Sequence, residues 1–261
     1  MERMQVKQQA WFFLGVLTLT SLTAVLFLLT SSNRPQSTPV IEGSHHHHGM
    51  SMNYAPMTPA QQAKLLADEK ESEFNHHLAG FFVLLAGAFG LFQGVLVKRW
   101  PMLKYAWPVC FLLSGSFVLI WSDTELRPFG HRQWLEALRN NPEVLQHKIF
   151  ALLLLALGTI EWQRARGVLQ AAWSRWVYPA IAVGGSILVL FHHHEAGMHG
   201  PNHMEIMSRI QSQHLSYAVA GLGLGITKGL SETRIPWRGV LTKVWPFLMM
   251  ALGVLLMFYR E

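Results

Sequence analysis

The stretch FNHHLAGFFVLLAGAFGLFQGVLV occupies residues 74–97 and contains no Asp, Glu, Lys or Arg. Its only ionisable side chains are two histidines close to its start. A helix that crosses the hydrocarbon core of a bilayer needs about 20 mostly apolar residues. The stretch therefore predicts a membrane-spanning helix whose histidines lie near one membrane surface.

Six further segments resemble it, and the whole chain has the same character. Of 261 residues, 51% are hydrophobic and 14% are charged, and the mean hydropathy is +0.22; soluble domains carry about 25% charged residues. We therefore predict an all-α fold, a polytopic membrane helix bundle of about seven transmembrane helices. The expected spans are residues 10–33, 74–97, 105–122, 144–163, 176–194, 210–227 and 244–259, of which the fourth and seventh have the shortest uncharged cores.

Lysine and arginine near the span ends predict the orientation. With a cytoplasmic N-terminus, the inner segments hold 12 of the 21 basic residues and 3 of the 15 acids. The outer segments hold the remaining 9 basic residues and 12 acids. This bias favours a bacterial inner-membrane protein with a cytoplasmic N-terminus. With the charge distributed in this way, the net charge of +6 does not indicate nucleic-acid binding.

Three regions are expected along the chain. Residues 1–33 form a membrane anchor or, alternatively, a signal peptide, and residues 34–57 form a flexible outer linker rich in His and Met. Residues 58–261 form a six-helix membrane domain with a His-rich outer loop at 191–214. Thr58-Pro59 and Asn141-Pro142 are helix-start signals, and residues 133–139 predict a short interfacial helix.

The single cysteine, Cys110, lies in an apolar run. An intrachain disulfide, a cysteine-ligated zinc or iron–sulfur centre and a CxxCH haem attachment are therefore excluded. We interpret Cys110 as a small buried apolar residue.

All 14 histidines fall on the outer side or at the outer ends of spans, together with several methionines. Imidazole with thioether favours copper, because thioether suits Cu(I) and zinc sites seldom use methionine. A histidine within a span is costly and marks a functional candidate. The candidate metal ligands are His76, His77, His147, His192, His193, His194, His199, His203, Met207 and His214, with His45, His46, His47, His48, Met50 and Met52 as accessory metal-gathering residues.

The block FHHHEAGMHGPNHMEIMSRIQSQH, residues 191–214, is the densest of these groups. His203, Met207, Ile210 and His214 share one helical face, because their spacings are 4, 3 and 4. His203 and His214 are about 16 Å apart along a helix and cannot bind one ion. We expect an exposed loading site near His203, and a deeper site formed by His77, His147, His192 and His214.

Each group also has an ordinary interpretation. Residues 45–48 are either the remnant of an expression tag or a natural metal-gathering tract. His76 and His77 point about 100° apart on a helix, so only one is expected to face the bundle. His131 is interpreted as an ordinary loop residue.

At FHHHEAGMHG (191–200), SQHLSYAVAGLGLGITKGLSE (212–232) and EFNHHLAGFFVLLAGAFGLFQ (73–93) the chain resembles the copper resistance protein D-like membrane proteins of bacteria. The resemblance covers roughly residues 70–232. It implies copper movement across or into the inner membrane, or supply of copper to a periplasmic copper chaperone or copper enzyme. Residues 1–57 have no counterpart in that family, and the expected span count is below its eight.

The sequence thus favours a copper-handling membrane protein without enzymatic activity, whose partners are the lipid bilayer and copper ions. The main alternative is a b-type cytochrome with one haem, held for instance by His77 and His147 or His214. A metal enzyme using Glu195 or Glu205 and an accessory subunit of a membrane complex are further alternatives. The HExxH motif is absent, and polar residues that would carry an ion deeper are few.

Overall fold

The computed structural model describes residues 58–123, 126, 134–192 and 203–260, with side chains from residue 205 onward in the last range. Every regular element in these ranges is helical, so the predicted all-α class is confirmed there. The α-helices are α1 (Pro59–Arg99), α2 (Ala106–Trp121), α3 (Trp134–Asn140), α4 (Pro142–Ala165), α5 (Ser174–Leu190), α6 (His203–Ser231) and α7 (Arg238–Met257), and a 3₁₀ turn at Pro101–Tyr105 precedes α2.

Four stretches are long and apolar enough to cross a membrane: Pro59–Arg99, Pro101–Trp121, Pro142–Ala165 and Arg238–Met257. They include the whole of the second and fourth expected spans and most of the third and seventh. Helix α5 is apolar but has 17 residues, and α6 does not reach the same hydropathy. The first expected span lies outside the described residues. Seven spans therefore remain a prediction, whereas four candidate spans are present.

The predicted helix starts are confirmed. Thr58 caps α1, since its hydroxyl accepts a hydrogen bond from the Gln61 amide while the Gln61 side chain accepts one from the Thr58 amide. Asn141 caps α4 by accepting from the Val144 amide at 3.1 Å. Helix α1 has 41 residues, about 60 Å at 1.5 Å per residue, so its polar first turns extend well past its apolar part.

The six helices other than α3 pack as a closed circle in the order α1, α2, α4, α5, α6, α7 and back to α1. Small residues permit the closest approaches, as is common between membrane helices. A Cβ added to Gly253 of α7 would lie 2.5 Å from the Leu84 amide nitrogen of α1. A Cβ on Gly115 of α2 would lie 3.0 Å from the Ala151 carbonyl oxygen of α4.

The surface of the helices differs from that of a typical soluble bundle. Large apolar residues along the helices are exposed, for example Leu152, Val219 and Phe247. Several charged and polar residues are buried, including Gln146, Lys148, Glu161 and His214. This distribution fits helices whose outer surface meets lipid.

The buried apolar core lies toward the middle of the circle and includes Phe111, Leu157, Tyr178, Leu224 and Met249. Above it, a cavity of about 1090 Å³ runs up to one end of the bundle. We call that end the histidine end, because the side chains of His76, His77, His147, His192 and His214 meet there. The opposite end, the basic end, carries residues 161–175 and 228–243.

Candidate metal centre

Helix α4 supplies two of the possible ligands, and the end of α5 supplies the third. Glu143 and His147 are four residues apart in the first turns of α4, so they lie on one helical face. His192 lies two residues after Leu190, the last residue of α5. One donor atom from each of Glu143, His147 and His192 lies within 4.8 Å of the other two. Ligands at about 2 Å from one ion are about 3–4 Å apart, so small side-chain rotations would bring all three onto an ion.

Asp123 orients the ring of His147. The His147 Nδ1–H donates to Asp123 Oδ1 at 3.1 Å, so Nε2 is the ring nitrogen through which His147 could bind a metal ion. Metal-bound histidines typically donate their second nitrogen to a carboxylate or carbonyl in this way. The contact thus presents His147 as a ligand through Nε2.

Gln146 orients the ring of His192 through its side-chain amide, which is itself held by a second hydrogen bond. The Gln146 Nε2 donates to the Phe191 carbonyl at 3.1 Å, so its Oε1 faces the other way. That oxygen accepts a short hydrogen bond from His192 Nδ1. Gln146 of α4 therefore orients the ring of His192, and Asp123, which follows α2, orients the ring of His147.

Asp123 is itself held as an anion. Lys148 Nζ lies 2.5 Å from Asp123 Oδ2 and also donates to the Leu119 carbonyl at 3.0 Å. Burial alone would raise the pKa of Asp123, but the hydrogen bond and charge of His147 and the hydrogen bond from Lys148 outweigh it and lower the pKa to about 2. The carboxylate is thus ionised at any physiological pH.

Further rings extend from this centre across the histidine end. The ring centroids of His147 and His192 are 5.2 Å apart, and those of His192 and His214 are 5.1 Å apart. His214 lies 6.5 Å from His76, which stacks on Tyr259 at 3.9 Å. Rings from α4, α5, α6, α1 and the residues after α7 therefore follow one another around the mouth of the cavity.

The predicted deep site is assembled in part. His147, His192 and His214 lie side by side, as expected from their positions near the outer span ends. His77 is placed differently, since its Nε2–H donates to the Tyr259 carbonyl at 3.0 Å. His76 lines the cavity instead, with its Nδ1–H donating to the Ser72 carbonyl at 2.8 Å. Both side chains contact Tyr259, His77 through the Tyr259 carbonyl and His76 through the Tyr259 ring, but only His76 lies beside His214.

The remaining predicted ligands lie away from this centre or outside the described side chains. Met207 lies half-buried on α6, on the face that continues to the buried Ile210 and His214. His203 begins α6, but its side chain is not described. Several predicted residues lie outside the described part of the chain: His193, His194, His199, the accessory residues His45, His46, His47, His48, Met50 and Met52, and also His131 and Glu195.

Sequence reasoning missed Glu143, Asp123 and Gln146. The Glu143-x-x-x-His147 spacing next to a helix start was the available signal for the carboxylate ligand. No comparable signal existed for Asp123, which is 24 residues from His147. Glu205, considered earlier as a ligand, is exposed and pairs with Arg209 at 3.3 Å.

Comparison with protein-family models, curated proteins and solved structures finds no match to this chain.

Proposed function

We propose that this protein is a membrane protein that binds copper at its histidine end, on the periplasmic side of a bacterial inner membrane, and passes it on. The observation that carries the proposal is the convergence of Glu143, His147 and His192, with both imidazoles oriented by neighbouring polar groups. Orientation of this kind raises ligand basicity and favours metal binding. The resemblance to copper resistance protein D-like proteins supports the same metal.

Copper is proposed over other ions because of the whole ligand inventory. Two imidazoles and a carboxylate suit Cu(II), Zn(II) or Fe(II), whereas magnesium and calcium prefer all-oxygen sites. The methionines that accompany the histidines in the sequence are ligands that favour Cu(I) over zinc. We infer that His214 and His76, next along the series of rings, accept the ion from His192 during delivery.

The direct experiment is metal analysis of the full-length protein purified in mild detergent. We expect about one tightly bound copper per chain, with competition showing preference over zinc, and no haem band in the absorption spectrum. Replacing both His147 and His192 by Ala should remove the tight copper. His77→Gln is the matched control, because that ring bonds a backbone carbonyl at the same end of the bundle.

Two results would overturn the proposal. Unchanged copper content in the His147/His192 double variant would place the metal elsewhere. A strong haem band without copper in the wild-type protein would instead identify a membrane cytochrome with a single haem.

A further inference from the structure

Helix α7 carries a groove on its outer surface at the basic end. The groove has a volume of about 410 Å³, and it is lined by Pro236, Gly239, Val240, Lys243, Val244 and Phe247. The helical members recur at spacings of three and four residues, so they share one face of α7. That face is turned away from the bundle, because the buried residues of α7 are Trp245, Pro246, Met249 and Gly253.

The face continues as an apolar stripe toward the middle of the helix. Val240, Phe247 and Val254 are exposed, and each follows the one before it after about two helical turns. Helix α7 is also one of the helices long and apolar enough to cross a membrane. From Lys243 to Val254 the helix rises about 16 Å, which is half of a hydrocarbon core of about 30 Å. The stripe therefore has the depth of one lipid leaflet.

Lys243 is the charged residue of the groove. Its side chain is exposed, and it forms no ion pair or hydrogen bond with the residues that the structure describes. The acids of segments 161–175 and 228–243 are engaged elsewhere, since Glu161 pairs with Arg164 at 2.7 Å and Glu232 pairs with Lys228. A lysine in such a place lays its methylene groups along the apolar surface and holds its ammonium group at head-group level.

We propose that this groove binds one anionic phospholipid. Its phosphate contacts Lys243, and one acyl chain lies along Val244, Phe247 and Val254. Segments 161–175 and 228–243 hold seven basic residues and two acids, so they attract an anionic head group. A second copy of this chain suits the groove less well, because a symmetric contact would bring the two basic faces together. The groove lies at the end opposite the histidine end, so the proposal is independent of the metal centre.

The test is native mass spectrometry of the full-length protein, delipidated in mild detergent and titrated with dioleoyl phosphatidylglycerol or dioleoyl phosphatidylcholine. We expect the first phosphatidylglycerol to bind about fivefold more tightly, the factor that one basic residue near anionic head groups supplies. Lys243→Gln should remove this preference. Lys98→Gln is the matched control and should keep it, because it removes the same charge from an exposed position at the same end, on α1 and outside the groove.

A second pair of variants tests the groove by volume. A Cβ at Gly239 meets nothing within 4 Å, so Gly239→Leu should fold, fill the groove and lose the tight phosphatidylglycerol site. Gly94→Leu adds the same side chain at an equally open position on α1 and should keep the site. Melting temperatures in lipid-free detergent check that the variants are folded. Copper content should be unchanged in Lys243→Gln, which separates this proposal from the proposed metal function.

Three outcomes would overturn the phospholipid site. The first is equal affinity of the wild-type protein for the two lipids. The second is an undiminished preference for phosphatidylglycerol in Lys243→Gln or in Gly239→Leu. The third is a dimer that Gly239→Leu dissociates, together with no preference between the lipids, which would identify a second copy of this chain as the occupant.

Discussion

At the scale of single residues, the candidate centre depends on the groups that hold the imidazoles. Asp123 and Gln146 accept hydrogen bonds from the Nδ1 atoms of His147 and His192, respectively, and so fix the orientation of the two rings. Lys148 completes the arrangement by neutralising Asp123 within a buried setting. Lys148 already pairs with Asp123. The positive charge of a metal ion at this centre would therefore act mainly on Glu143 and the two imidazole rings.

Replacing Asp123 by Asn should lower metal affinity about 10–100-fold, as loss of an outer partner typically does. The amide keeps a hydrogen-bond acceptor for His147 but removes the negative charge that supports the ring. Competition titration with a copper chelator measures the change. The control is Glu205→Gln. It removes an exposed carboxylate that pairs with Arg209 and with no other of the described residues. Equal affinities of Asp123→Asn and wild type would show that Asp123 does not support a metal ligand.

The sequence predicted some of these residues, and physical reasons explain the rest. The histidines were recognisable because an imidazole near a span end is unusual whatever its partners are. Which histidine of the pair at 76 and 77 faces the cavity depends on the rotation of α1 about its axis in the bundle, where His77 bonds the Tyr259 carbonyl. Asp123 and Gln146 act through contacts 24 and 46 residues away in sequence, which no local pattern predicts.

At the scale of helices, the bundle is built from pairs in close backbone contact. Gly80 and Gly253 bring α1 and α7 together, Gly115 and Gly158 bring α2 and α4 together, and Gly225 brings α6 against α5. The helix starts and apolar runs were predictable, because caps and hydropathy are local properties. The choice of neighbouring helices was not, since it depends on where glycines of different helices coincide.

Gly253→Ala should destabilise the protein by about 1–3 kcal/mol, the usual cost of overpacking. The added methyl group would meet backbone atoms of Leu84 and Gly80 at 2.5–2.8 Å, and backbone cannot rotate away. Gly94→Ala, where nothing lies within 4 Å of the new Cβ, should be neutral or slightly stabilising. Thermal unfolding in detergent compares the two, and equal effects would contradict the close α1–α7 packing.

The basic end is joined by an ion-pair network. Glu232 pairs with Lys228 and lies 3.7 Å from Arg164 of α4, and Lys228 Nζ lies 5.0 Å from the centroid of the Trp245 ring of α7. Burial would raise the pKa of Glu232, but Lys228 and the two arginines Arg164 and Arg175 outweigh it and lower the pKa.

Glu232→Gln should therefore destabilise the protein by about 2 kcal/mol at pH 7, the scale of a hydrogen bond to a charged group. A lowered pKa in the folded state means that the stabilisation is complete above the unfolded value of about 4.5 and disappears as the pH falls below it. The difference in melting temperature between Glu232→Gln and the wild type should be smaller at pH 3.5 than at pH 7. Glu136→Gln, at an exposed position on α3, should show no gap at either pH.

At the scale of the whole molecule, the two ends of the bundle differ in chemistry. The histidine side chains described lie at one end, and the basic segments 98–104, 164–175 and 228–243 lie at the other. The sequence predicted this polarity from loop charges, and the alternating direction of the helices is consistent with it. Four helices meet the length and hydropathy expected of membrane spans.

Labelling with a membrane-impermeant thiol reagent tests the orientation in cells. Lys70→Cys is exposed on the histidine-end extension of α1, and Arg166→Cys is exposed at the basic end. In spheroplasts we expect labelling of the first and none of the second. The native Cys110 is buried and should give little background. The reverse pattern would place the candidate metal centre in the cytoplasm.

The contact that closes the circle of helices also has a consequence for biosynthesis. Helix α7 is the last described helix to emerge from the ribosome, yet it packs on α1, the first. Glu143, His147 and His192 can therefore come together before α7 is inserted, whereas the cavity wall and the stacking of Tyr259 on His76 must wait for it. A nascent chain would thus acquire its metal ligands before its closed cavity, and a ribosome stalled ahead of α7 would leave the bundle open to the bilayer on that side.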